Sequence, residues 1–158
     1  MALTKVPESM QTPDAVSELV FANANGHGST NTAIRKYTNK LTDTGSAMTH
    51  NFATDMATKG LEVTIAEAGI YAASVVDSRA SAAGQLGLTK NSNQLTTTAG
   101  SITSAHILNV LSADTGNWVQ CSATFSAQVG DIIRVHTNSA LDDTGPVSRF
   151  RIIQVKKL

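Results

Sequence analysis

The chain has 158 residues, of which 41% are hydrophobic and only 15% charged, and its 12 basic and 12 acidic side chains give a formal net charge of zero. That length suits one compact domain with a short appendage, and the apolar content is too high for a disordered tail. A neutral chain without clustered Lys and Arg lacks the footprint of a nucleic-acid binder, and no run approaches the ~20 apolar residues of a membrane helix.

Residues 1–16, MALTKVPESMQTPDAV, hold two prolines and isolated apolar residues. Proline disfavours helix interiors and pushes the residue before it into extended geometry, so this segment reads as an extended arm. Leu3, Val6, Met10 and Val16 are its candidate anchors for a partner surface. The stretch MALTKVPESMQ has one lysine and no apolar core, which is not a signal peptide, so folding in a cytoplasm is expected.

From residue 17 onward the hydrophobic period is two, not 3.6. Strands are predicted at 17–22, 32–38, 47–52, 61–65, 69–78, 85–90, 106–113, 117–125, 131–138 and 148–155. The link NANGHGSTN (23–31), the Asp43–Thr44–Gly45 turn, the polar run 91–104, Asp114–Thr115–Gly116 and the Asp142–Pro146 cluster separate them. Gly accepts positive φ, Asp bonds its own backbone and Pro fixes φ, so these are turn chemistries with a mechanism. ATDMATKG (53–60) is read as loop. Roughly ten short strands at steady spacing, with no fixed-period repeat, predict an all-β antiparallel sandwich or barrel. Gly69 in EAGIYA and Gly130 in QVGDIIRV are read as corners that send the chain from one sheet to the other.

A search for chemistry returns no enzyme. His27, His50, His106 and His136 lack the spacing of a zinc set, although His106 and His136 would converge in space if their strands were neighbours. The two DTG triplets read as turns, no serine sits in a Gly-x-Ser-x-Gly elbow, and NGHGSTN lacks the lysine of a phosphate loop. Cys121 lies in an apolar alternation and reads as a buried, inert thiol. No cofactor is expected.

The series GLEVTIAEAGIYAASVV, LGLTKNSNQL, WVQCSATFSAQVGDIIRVHTN and RFRIIQV resembles the jelly-roll of the tumour-necrosis-factor and C1q superfamily. More narrowly, NGHGSTNTAIRKYTN and the MALTKV start resemble virion proteins of tailed bacteriophages that carry this jelly-roll. The resemblance covers residues 17–158 and implies a ten-strand, two-sheet sandwich working as a homotrimer. Several strands are apolar at both parities, and an antiparallel sheet with one wet face should not be. A neighbouring copy is therefore expected to cover the second face, with Tyr71, Leu108, Val110, Ile133, Val135, Phe150 and Ile152 as candidate contact residues.

Three functions compete: a trimeric capsid decoration, or cement, protein that clamps the major capsid protein; a receptor-binding tip of a tail or head fibre; and an enzyme. An arm too short to be a shaft favours decoration of the virion surface, with the loops 91–104 and 140–146 as outward-facing variable tips.

Overall fold

The computed structural model describes residues 16–78, 84–112, 118–138 and 144–158. The strands are β1 (Glu18–His27), β2 (Arg35–Thr44), β3 (Met48–His50), β4 (Glu62–Ile65), β5 (Gly69–Ser78), β6 (Gln85–Lys90), β7 (Ile107–Ser112), β8 (Trp118–Ala127), β9 (Ile132–Thr137) and β10 (Thr144–Lys157). They form two antiparallel five-stranded sheets: sheet A in the order β2-β1-β10-β5-β8, and sheet B in the order β3-β4-β9-β6-β7. This is the all-β, two-sheet jelly-roll expected from the sequence. The bounds of β5 and β6 coincide with those predicted.

Both predicted corners cross between sheets, β4 to β5 at Gly69 and β8 to β9 at Gly130. They use glycine for different reasons. A Cβ on Gly69 would lie 2.6 Å from the Lys156 carbonyl oxygen, so the close approach of β10 forbids a side chain. Gly130 sits in open space at φ +91°, where backbone conformation alone selects glycine.

Three expectations fail locally. The link 23–31 is not all turn, because β1 runs on to His27. Its turn residues Asn23 and Gly26 do take positive φ, 56° and 64°, but they spend it on bulges inside the strand. The Asp142–Pro146 turn is likewise shortened, since β10 begins at Thr144. Pro146 falls in the register shift opposite Asn23, between the pairs Ala22↔Arg149 and Ala24↔Gly145, where the ladder asks for no amide proton. Finally, the segment read as loop contains a single helical turn, α1 (Met56–Lys59), with Lys59 closing on Asp55 at 2.6 Å.

The core lies between the sheets. Only 4% of residues are aromatic, yet all four Phe and both Tyr pack there. Phe21, Tyr37, Phe52 and Phe150 form one cluster, with Phe21 and Phe150 stacked at 6.3 Å. Tyr71 and Phe125 form a second, stacked at 6.2 Å. Leu19, Val63, Ile65, Leu86, Leu88, Ile133, Val135 and Ile152 fill the space between them. Cys121 is buried among these side chains, and burial pushes its thiol pKa up.

One end of the core is polar. Arg35 on β2 reaches Asp77 on β5 with two hydrogen bonds, 2.7 Å from Nε and 3.0 Å from Nη2, and both side chains are fully buried. Ser148 of β10 donates to the same carboxylate, as does the Ser78 amide at 2.8 Å. Beside them Tyr37 is buried, and desolvation, then the Asp77 charge, raises its phenol pKa well above the ordinary value. A bidentate Arg–carboxylate pair of this kind fixes geometry across four strands, because breaking it leaves a charge buried without its counter-ion.

Asp77→Ala is expected to destabilise the protein by about 3–5 kcal/mol, because it strands a buried guanidinium. The double variant Arg35→Met/Asp77→Leu should recover most of that loss. Urea unfolding of the three proteins checks both statements.

Candidate functional site

The two sheets differ in what covers their outer faces. Sheet B is covered by its own chain. Residues 91–106 cross its outer face as a strap, with Ser92, Ala99 and Ile102 buried beneath it. Ala99 sits on Gly87 of β6, Gln94 lies over His136 of β9, and Gly100 and Thr103 donate to the side chains of Gln85 and Gln94 at 3.1 and 2.7 Å. The 28–34 link continues the cover. Ala33 donates to the Leu95 carbonyl at 3.1 Å, and Ser29 and Thr30 donate to Ala57 and Thr58 around α1. The strap is therefore not the outward-facing variable tip expected for 91–104; its backbone is used in sealing a sheet. Of the 140–146 tip, residues 140–143 lie outside the described residues, and the remainder begins β10.

Sheet A has no such cover among the described residues. Pairing registers place its outward side chains in rows: Ser78 and Trp118; Ala22, Arg149, Val76 and Gln120; Val20, Arg151, Ser74 and Ser122; Glu18, Ile153, Ala72 and Thr124; then Ile70 and Ser126. The middle is floored by small residues. It holds two adjoining depressions of about 310 and 210 Å³, which meet at Ser74 and Arg151. Apolar side chains stand around it: Ile70, Val76 and Ile153 are half-buried, while Trp118 and Val155 are 51% and 60% exposed.

The electrostatics are simple. Arg151 pairs with Glu18 at 2.5 Å. Arg149 is exposed and has no partner among the described residues. The edge strand β8 is ten residues long, pairs with β5 without a register shift and carries no charge. An edge of that kind invites pairing unless it is blunted. Here sheet B blunts it: Asn109 donates to the Ser122 carbonyl at 2.7 Å and Lys90 to that of Ser126 at 3.1 Å. At the opposite margin His50 and Lys40 meet Asp43 at 3.1 and 2.5 Å and hold its carboxyl below the usual range, the Lys40 hydrogen bond contributing most.

The sequence-derived contact residues are distributed differently from expectation. Tyr71, Ile133, Val135, Phe150 and Ile152 are at most 1% exposed within the single chain. A side chain already removed from water has no surface left to bury against a second copy, so these five are core residues. Leu108 packs partly against the core, and Val110 lies beside Gly87 at the margin of sheet B. In the arm, Leu3, Met10 and Val6 lie outside the described residues; Val16 is 55% exposed at the start of the described chain, its carbonyl accepting from Thr44. The residues that sequence reasoning missed are the small and cationic ones of the open face: Ala72, Ser74, Ser122, Thr124, Arg149 and Arg151. Their signal was present as the opposite parity of the same strands.

The histidines do not converge on a metal. His106 donates to the Lys90 carbonyl, His136 bonds Thr89 and Gln94, and no group of three potential ligands occurs among the described residues. Asn138 accepts from the Gln85 amide at 3.1 Å, and Asp142 and Asp143 lie outside the described residues.

No protein-family model matches the chain, and no curated relative matches it. Its fold is similar to solved structures of the tumour-necrosis-factor type. GITRL from bushbaby superimposes with a TM-score of 0.56 at 12% identity, over 90% of this chain and 96% of that one. Murine APRIL gives 0.58 at 14%, over 89% and 99%. Eiger TNF from S. frugiperda gives 0.56 at 11%, over 91% and 95%. At these identities the likeness defines the fold: a TNF-like jelly-roll.

The division between core and face is directly testable. Val135→Asp places a charge in the sealed core and is expected to abolish folding, seen as loss of the β-sheet circular dichroism. Ala72→Arg adds an outward side chain and should leave the spectrum close to that of the parent. Cys121 should react with a thiol reagent only after denaturant is added, because its thiol is enclosed.

Proposed function

We propose that this chain is a non-catalytic structural protein that assembles with itself through the open face of sheet A, as a homotrimer. We further propose that the trimer decorates the virion of a tailed bacteriophage, clamping adjacent copies of the major capsid protein. The observation that carries the first part is the unequal cover of the two sheets. The chain spends a strap and a link on sealing sheet B, and leaves on sheet A a flat, small-floored face rimmed by Trp118, Val155, Ile153 and Ile70.

The size of that face supports the reading. Five strands about 4.8 Å apart, each some ten residues at about 3.3 Å per residue, give a face on the order of 800 Å², the amount one partner contributes to an ordinary stable interface. Small residues along its middle let a second backbone come close, and the apolar rim supplies the area that water would leave. Arg149 sets a condition on the assembly: it must reach an acceptor on the neighbour or stay at the wet margin, since a cation sealed without a partner is costly. The threefold symmetry and the capsid location rest on the sequence resemblance. An arm of residues 1–16 engaging the capsid would add avidity from three weak contacts per trimer.

Sedimentation velocity at micromolar concentration tests the assembly. The parent is expected to run as a trimer and Ala72→Arg as a folded monomer; a parent that stays monomeric, or a variant that stays trimeric, rejects the face. The location is tested on particles from the source culture. The purified chain should bind heads lacking it, and deletion of residues 1–12 should leave the trimer intact but remove that binding. Binding to host cells instead of heads would assign the trimer to a fibre tip.

A further inference from the structure

The seal over sheet B has a titratable group at its centre. His136 is 0% exposed and sits where four segments meet. Its Nε2 is 3.3 Å from the Gln94 carbonyl in the strap, its Nδ1 is 2.8 Å from Thr89 Oγ1 on β6, and its backbone pairs with Ile34 of the 28–34 link. A carbonyl only accepts, so Nε2 carries the proton and Nδ1 accepts from the Thr89 hydroxyl. The neutral ring satisfies both neighbours.

The protonated ring keeps both bonds but carries a charge. With a proton on each nitrogen, Nε2 still donates to Gln94, and Nδ1 becomes a donor to Thr89 Oγ1, whose own proton turns to the Arg134 carbonyl, 3.4 Å off. The new charge has no counter-ion. Arg134, two residues along β9, is cationic, 7% exposed, and engages Glu62 of β4 at 2.6 Å. Lys90, at the end of β6, is tied to Asp131 at 3.4 Å. His106 closes the far end of the strap on the Lys90 carbonyl, His27 is engaged with Thr137, and the 28–34 link contributes no ionisable side chain. Every charge facing His136 is either positive or a carboxylate already committed to another cation. Hydrating the ring requires the strap to lift.

We propose that residues 94–103 form an acid-released latch on sheet B, with the neutral His136 ring enclosed beneath the Gln94 backbone as its acid-sensitive contact and the sandwich beneath it remaining folded. Releasing the strap uncovers Gly87, Thr89 and His136 while leaving Arg134 tied to the Ser92 carbonyl at 3.0 Å, so the strap swings from an anchored start. The sign of the effect follows from the ring's environment. Burial holds the His136 pKa down at about 4, against 6.5 for an ordinary histidine; the Gln94 hydrogen bond opposes this and the Arg134 charge adds to it. Between pH 6.5 and 4 the unfolded or released chain takes up the proton before the latched one does. The latch therefore weakens progressively as pH falls through that window, and His136 itself is protonated at its lower end.

The test is a pH titration of the isotopically labelled full chain by NMR, from pH 7 to 3.5. It follows the Gly100 and Thr103 amides, the His136 ring, and amides of β5 and β8. The strap amides are expected to leave their native positions with the midpoint of the His136 ring, while the β5 and β8 amides stay native. His136→Gln, whose side-chain amide supplies the same donor and acceptor without titrating, should keep the strap closed throughout. The proposal is overturned if the wild-type strap stays closed after the ring has titrated, if strap and sandwich signals are lost together, or if His136→Gln opens at the wild-type pH. Should that variant not fold, the wild-type comparison of ring and strap midpoints decides alone.

Discussion

The structure depends on one sealed layer: the side chains that two five-stranded sheets share between them. With few aromatic residues available, the chain concentrates all its Phe and Tyr in that layer and fills the remainder with Leu, Ile and Val. Close packing there is what turns period-two strands into a single arrangement, because a one-residue slip would exchange every inward side chain for an outward one. The buried Arg35–Asp77 pair reinforces this at one end, since a charge pair without water tolerates no other register.

Once the inner faces are joined, each sheet still has an outer face, and the chain treats the two differently. Sheet B receives a strap whose backbone is spent on polar groups below it: the Gly100 amide on Gln85, and the Ser92 and Gln94 carbonyls on Arg134 and His136. Buried polar groups of this kind are stable only while every partner is present, which is why the cover is specific; its sensitivity to a proton on His136 comes from a charge enclosed there without a counter-ion. Sheet A receives none among the described residues, and Asn109 and Lys90 engage its β8 edge without covering its face. A blunted β8 edge beside an open face is suited to association face to face.

The comparison with solved structures bears on the first of these points and not on the others. TNF-like neighbours share the fold at 11–14% identity, so what is held in common is the layering. The small-residue floor, Arg149 on the open face and the enclosed His136 are properties of this chain's own residues.

Much of this was legible in the sequence. Alternation in LEVTI and GIYAASVV located strands, and Gly69 and Gly130 marked where the chain changes sheet. These are local properties: side-chain period and backbone φ are set within a few residues. The bulges at Asn23 and Pro146 were misread as turns for the same reason in reverse, because a positive φ or a missing amide looks identical in either setting until the partner strand is known. The largest error was one of sides. Strands apolar at both parities showed that two faces needed covering, but Tyr71, Val135 and Phe150 were assigned to the outside when they are the inside. Which parity faces the core, and whether a strap or a second copy covers the other, is decided by contacts between residues far apart in the chain; the sequence alone determined that the faces exist, and only the packing of distant segments determined which is which.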